Sequence, residues 1–137
     1  MWVRVEDGAS GPLVALDADA CCPAISSDGR WLSYLTGDPN KLGATGAWEY
    51  TIEVRPLTTA SDAGGLPTLV AGPPTSVGVR PLVEPGAALW SPSGEFLLAW
   101  GLYPSYPVML LRADGTADPV TLADSSVGYG SWGPPPH

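Results

Sequence analysis

Few side chains in this chain have the chemistry to act on a substrate. The single histidine, His137, is the last residue and follows Pro134, Pro135 and Pro136. Nothing nearby would orient it as a catalytic base must be oriented. Cys21 and Cys22, the only cysteines, are adjacent. Neighbouring Cα atoms lie about 3.8 Å apart, closer than an ordinary disulfide spans. The pair therefore reads as small buried strand residues, with an intermolecular bridge or half of a metal site as the remaining readings. Asp7, Asp17 and Asp19, and again Asp114, Asp118 and Asp124, offer oxygen ligands in principle. Turn capping accounts for them more simply. The sequence has no Gly-x-Ser-x-Gly elbow, no zinc-ligand spacing and no glycine-rich phosphate loop. No catalytic residue, cofactor or metal is assigned from these residues. What remains is aromatic: Trp48, Tyr50, Tyr103 and Tyr106 flank loops, where binding side chains concentrate. They are the candidate partner-binding residues, and packing in the core is the competing reading for each.

The elements that position these residues must be short and numerous. Of 137 residues, 45% are apolar and 15% charged, which argues for a buried core and against disorder. The 17 Gly and 16 Pro are scattered between short apolar runs, the mark of many turns. No window free of both carries apolar residues at helical spacing, so helix content is expected to be low. The formal net charge is −8, with Lys41 and five scattered arginines, so no basic stripe exists to neutralise a phosphate backbone and no nucleic-acid partner is expected. No apolar run is long enough to span a membrane, and Met1 to Asp7 lacks the basic start and apolar stretch of a signal peptide.

Internal repeats organise the chain. The pattern D-G-x-x-x-P-x-x-x-x-D occurs at Asp7 to Asp17 and again at Asp114 to Asp124, an offset of 107 residues. A second pattern, Ala24 to Tyr34, recurs as Leu89 to Ala99 at an offset of 65, and Trp90 to Trp132 is a further step of 42. The two steps together equal the first offset, so independent patterns share one register, and a period of about 40 to 45 residues is that of propeller blades. The first unit is the longer. Taking Pro67 as the match of Pro12 and Pro119, the excess is thirteen residues before it and ten after, and it is expected in loops at 37–48, 58–65 and 71–85.

Within each unit, Ser91-Pro92-Ser93-Gly94 has the residues of a type I turn closed by a glycine bulge, and Ser26-Ser27-Asp28-Gly29 repeats it without proline. Ser26, Asp28, Gly29, Ser91, Pro92 and Gly94 are the structural turn residues. After each turn comes a run apolar on both faces, Trp31 to Leu35 and Phe96 to Trp100, as in strands covered from two sides. Tyr50 to Val54 and Pro107 to Leu111 follow, then Thr68 to Ala71 and Val120 to Leu122, giving four strands per unit. The fold class expected is all-β, with blades of four-stranded antiparallel sheet forming an incomplete propeller.

Leu89-Trp90-Ser91-Pro92-Ser93-Gly94 resembles the WD-like repeat of TolB-type β-propellers, with Ser93 where that family has Asp. The first unit has Ser27 for the family's Pro and keeps Asp28, and Trp132-Gly133-Pro134 begins a third copy. The resemblance implies a division into residues 1–17 as the last strands of a blade, 18–72 and 73–124 as blades, and 125–137 as the first strand of another. It implies a non-catalytic scaffold that binds a protein or peptide, belongs to a larger TolB-like protein and lies outside the cytoplasm. The alternative is the gating propeller of a prolyl-oligopeptidase-like serine peptidase whose catalytic domain is absent. Propellers need roughly 4 to 8 blades, so the remaining blades are expected from a longer chain or from self-association.

Overall fold

The computed structural model describes residues 2–3, 8, 10–11, 20–42, 48–61, 63–65, 67–77, 82–83, 85–101, 107–124 and 132–133. These residues form strands and turns, with no helix among them. The strands are β1 (Trp2–Val3), β2 (Ser10–Gly11), β3 (Ala20–Ile25), β4 (Trp31–Leu42), β5 (Trp48–Ser61), β6 (Pro67–Ala71), β7 (Thr75–Ser76), β8 (Leu82–Val83), β9 (Pro85–Trp90), β10 (Phe96–Gly101), β11 (Val108–Arg112) and β12 (Val120–Ala123). All pairings are antiparallel. The fold is a partial, propeller-like all-β arrangement. β9 to β12 form a four-stranded meander, and β3 to β6 form a second in the same order.

The two turns that open these meanders are copies at the level of single hydrogen bonds. The Gly29 N–H donates to the Ser26 carbonyl at 2.9 Å, and the Gly94 N–H to the Ser91 carbonyl at 3.0 Å. The Ser26 hydroxyl accepts from the Trp31 N–H at 3.0 Å, and the Ser91 hydroxyl from the Phe96 N–H at 3.1 Å. Gly29 and Gly94 both have φ 72°, a left-handed conformation that a Cβ disfavours. The D-G pattern also has a structural counterpart, since Gly8 and Gly115 have φ 71° and 67°.

The first unit departs from expectation in its length. Most of its excess lies in longer strands. β4 runs on to Leu42, which pairs with Trp48, and β5 continues to Ser61. Thr68 to Ala71 does pair with β5, but opposite Leu57–Ala60, beyond Pro56, where β5 stops pairing with β4. The true counterpart of β12 is β7. Thr75 faces Val54 as Val120 faces Leu110, and Val54 and Leu110 face the equivalent residues Ser33 and Leu98. Pro74, not Pro67, therefore stands where Pro119 stands. The chain from β6 through β7 to β8 follows one edge of β5, interrupted at Pro73-Pro74, which have no N–H to donate to a ladder.

The core forms where the two meanders meet face to face. Leu35, Ile52, Val54 and Val77 of the first pack with Trp90, Leu97, Ala99, Met109, Leu111 and Ala113 of the second. Each fully buried aliphatic side chain of this kind contributes roughly 1.5–3 kcal/mol relative to exposure. Alternation along β4 sends Leu32 and Tyr34 to the opposite face, where they cluster with Leu57. Within the main interface the Trp90 indole N–H donates to the Ser33 hydroxyl at 3.0 Å and lies 3.4 Å from the Ala24 carbonyl. Trp132 repeats the arrangement one unit on, donating to the Leu89 carbonyl at 3.1 Å. Leu89 and Ala24 are equivalent residues, so the register read from the tryptophans is also the register of the packing.

Trp90→Phe keeps an aromatic ring but removes this donor and leaves the buried Ser33 hydroxyl one partner short. A loss of about 1 kcal/mol is expected, read as a lower urea midpoint. Ser33→Ala should cost less than Trp90→Phe, because the indole keeps the Ala24 carbonyl.

Candidate functional site

Meander order gives the stack two different ends. At one end lie the turns Ser26–Gly29 and Ser91–Gly94, together with the Asp114-Gly115 turn that joins β11 to β12. At the other end, β4 passes to β5 and β10 passes to β11.

The turn end is built from contacts between units. The Ser27 hydroxyl lies 3.0 Å from the Ser91 carbonyl and 2.8 Å from the Pro92 carbonyl, so it ties one turn directly to the next. Gly94 is buried against Asp28, and a Cβ added there would land on the Asp28 carboxylate. At Gly29 the same Cβ would meet nothing within 4 Å. The third turn also abuts the first unit, since a Cβ on Gly115 would lie 2.8 Å from Cγ2 of Thr75.

Two carboxylates of this end are held ionised by their own turns. The Ser26 hydroxyl, donating at 2.6 Å, and the Arg30 N–H, at 3.0 Å, hold the Asp28 carboxyl down at about 2. The Arg30 guanidinium adds an ion pair at 2.6 Å. Asp114 is lowered by the backbone N–H and hydroxyl of Thr116 and by Arg112. Such groups cap turns and do not exchange protons near neutral pH. Among the described residues, no three His, Cys, Asp or Glu side chains converge as a metal cluster, and no helix is long and apolar enough to cross a membrane.

At the opposite end, two of the four candidate aromatics are described. Trp48 opens β5 opposite Leu42, and Tyr50 pairs with Gly37 on one side and Leu82 on the other. The Tyr50 side chain is half-buried and packs against the main core cluster. Tyr103 and Tyr106 lie outside the described residues, as do Asp7, Asp17, Asp19, His137 and residues 43–47. Their flanks are placed: Gly101 ends β10 and Val108 begins β11. The connection bearing Tyr103 and Tyr106 thus occupies the position in the second unit that the connection before Trp48 occupies in the first.

Ser27, Ser33 and Trp90 tie the units together, and the sequence reading gave none of them that part. One signal was visible at Ser27, which replaces the proline of the resembled motif with a hydroxyl. Cys21 and Cys22 also differ from their reading as buried strand residues. They lie at an irregularity of β3, Cys22 is exposed, and Cys21 is half-buried. No family model, curated protein or solved structure matches this chain.

Gly29→Ala is expected to cost about 1–2 kcal/mol from left-handed strain alone. Gly94→Ala should cost more, and Asp28→Ala in the Gly94→Ala background should recover part of the difference, as a double-mutant cycle in urea would read. The pH dependence has a definite sign. Asp28 is depressed from 3.8 to about 2 in the folded chain, so its contribution is present above the ordinary carboxylate value and is lost as pH falls through the folded one. Asp28→Asn should make unfolding stability depend less steeply on pH between about 4 and 2.

Proposed function

We propose that this chain is a non-catalytic segment of a TolB-like, WD-like β-propeller that presents its β4–β5 and β10–β11 connections to a protein or peptide partner. The reading rests on one observation above others: Trp90 and Trp132 make the same hydrogen bond, each to the equivalent carbonyl of the preceding unit. Units stacked by that rule carry equivalent connections on the same end. Trp48 and Tyr50, at the start of β5, then stand at the same end as the β10–β11 connection, whose sequence contains Tyr103 and Tyr106. Aromatics of this kind give large contact area at small entropic cost, and they dominate the energetics of protein interfaces.

A ring takes roughly 4 to 8 such units, and the further blades come from a longer chain or from associating copies. The turn end is fixed by contacts between units. The other end is where strands connect without such ties among the described residues, and connections are where binding residues concentrate.

Peptides selected from a displayed library on the folded chain provide the test. Trp48→Ala and Tyr103→Ala should each weaken the selected binders at least several-fold while leaving the thermal midpoint within a few degrees. Gly94→Val should abolish cooperative unfolding. If all three variants lose the fold alike, the aromatics belong to the core and the proposal fails.

A further inference from the structure

The adjacent thiols stand in a geometry that a regular strand forbids. Successive side chains of a β-strand point to opposite faces, so neighbouring cysteines should hold their sulfurs apart. Here Cys22 Sγ lies 3.0 Å from Cys21 Sγ. The cause is local. Cys21 pairs with Leu35 and Ala24 with Ser33, so Cys22 and Pro23 together stand opposite the single residue Tyr34. The extra residue makes a β-bulge. Cys22 absorbs it at φ 58°, the only positive φ of a non-glycine residue among those described. The bulge lies on the outermost strand of its sheet, β3 being paired with β4 alone in the strand order.

We propose that Cys21 and Cys22 are a redox-responsive modification site, which small-molecule disulfides of the glutathione type convert reversibly to a vicinal disulfide. The two sulfurs divide the work by exposure. Cys22 is exposed, whereas Cys21 is half-buried and packs against the main core cluster. The Cys22 thiolate attacks one sulfur of the oxidant, forming a mixed disulfide and expelling one thiolate. The Cys21 thiolate then attacks Cys22 Sγ, closing the ring and expelling the second. Two cysteine thiols are oxidised, one external disulfide is reduced to two thiols, and the two protons end on those products. Burial, together with the neighbouring Cys22, pushes the Cys21 thiol up to about 11, which disfavours Cys21 as the first nucleophile. Neighbouring Cα atoms about 3.8 Å apart are closer than the usual disulfide range. The product is therefore strained and belongs to the labile, easily reduced class.

The test treats the full chain with oxidised glutathione and follows intact mass. The expected product has lost two hydrogens, carries no glutathione and returns to the starting mass with a dithiol reductant. Cys21 and Cys22 are the only cysteines, so this mass change in a monomer locates the bond. Cys21→Ser should stop at a persistent glutathione adduct on Cys22. In urea the wild-type mixed disulfide should outlast its folded counterpart, because the bulge that brings the sulfurs together is gone. A wild-type chain that stays unmodified, holds its adduct or forms covalent dimers would overturn the proposal. So would ring closure that is equally fast in urea.

Discussion

A buried indole N–H must find an acceptor or forfeit the free energy of a hydrogen bond. Trp90 finds its acceptors on the neighbouring sheet, at the Ser33 hydroxyl and the Ala24 carbonyl. That requirement fixes how the two meanders sit on each other. Apolar burial between Leu35, Ile52 and Val54 on one side and Leu97, Met109 and Leu111 on the other supplies the larger energy. Burial is non-directional, however, and would tolerate a slide along the strands. The indole does not tolerate it, because moving by one residue would take its N–H away from both oxygens. Trp132 makes the corresponding bond to the Leu89 carbonyl in a more exposed setting, so the same residue type stands at the same place in the repeat.

The turns follow from that stacking. Once the sheets are held in register, equivalent hairpin turns must lie against each other, and the Ser27 hydroxyl meets the Ser91 and Pro92 carbonyls. Gly94 then has two separate reasons to be glycine: its left-handed backbone and the Asp28 carboxylate in the space its Cβ would take. Gly29 has only the first. Identical turns in a repeat are therefore unequal in their demands, because one of them has a neighbour above its glycine.

The turns and the strands that follow them were legible in the sequence because their causes are local. Glycine at a positive φ, serine hydroxyls that cap a turn, and runs apolar on both faces each leave a mark within a few residues. The partner of β5 was not legible. Pro67 and Pro74 are both plausible matches for Pro119 by spacing, and only pairing across the sheet shows that Thr75 stands where Val120 stands. The sequence also showed an excess of residues in the first unit without showing that they would pair, as Leu42 does with Trp48 and Leu57 with Ala71. Of the candidate site, the aromatic types were readable and core packing was the competing reading for each, which is what Tyr50 shows. The cysteines mislead for a related reason, since a bulge depends on the register of two strands, and one strand's residues do not reveal it.

The first unit projects beyond its sheet at both ends, and the two projections differ in side-chain chemistry. Adding length as paired strands keeps backbone donors and acceptors satisfied, as where Leu42 pairs with Trp48 and Leu57–Ser61 pair with Pro67–Ala71. The one made by β5 and β6 lies at the turn end and exposes Thr58, Thr59, Ala60 and Ser61, with Val70 as its large exposed apolar residue. Small hydroxyl side chains make adaptable contacts but weak anchors. The one made by β4 and β5 lies at the other end, and Trp48 pairs with Leu42 there, two residues from the core-packed Tyr50. Under the proposed function the β4–β5 end is the one that carries an aromatic, and the equivalent β10–β11 connection, with Tyr103 and Tyr106 in its sequence, extends the same chemistry to the next unit.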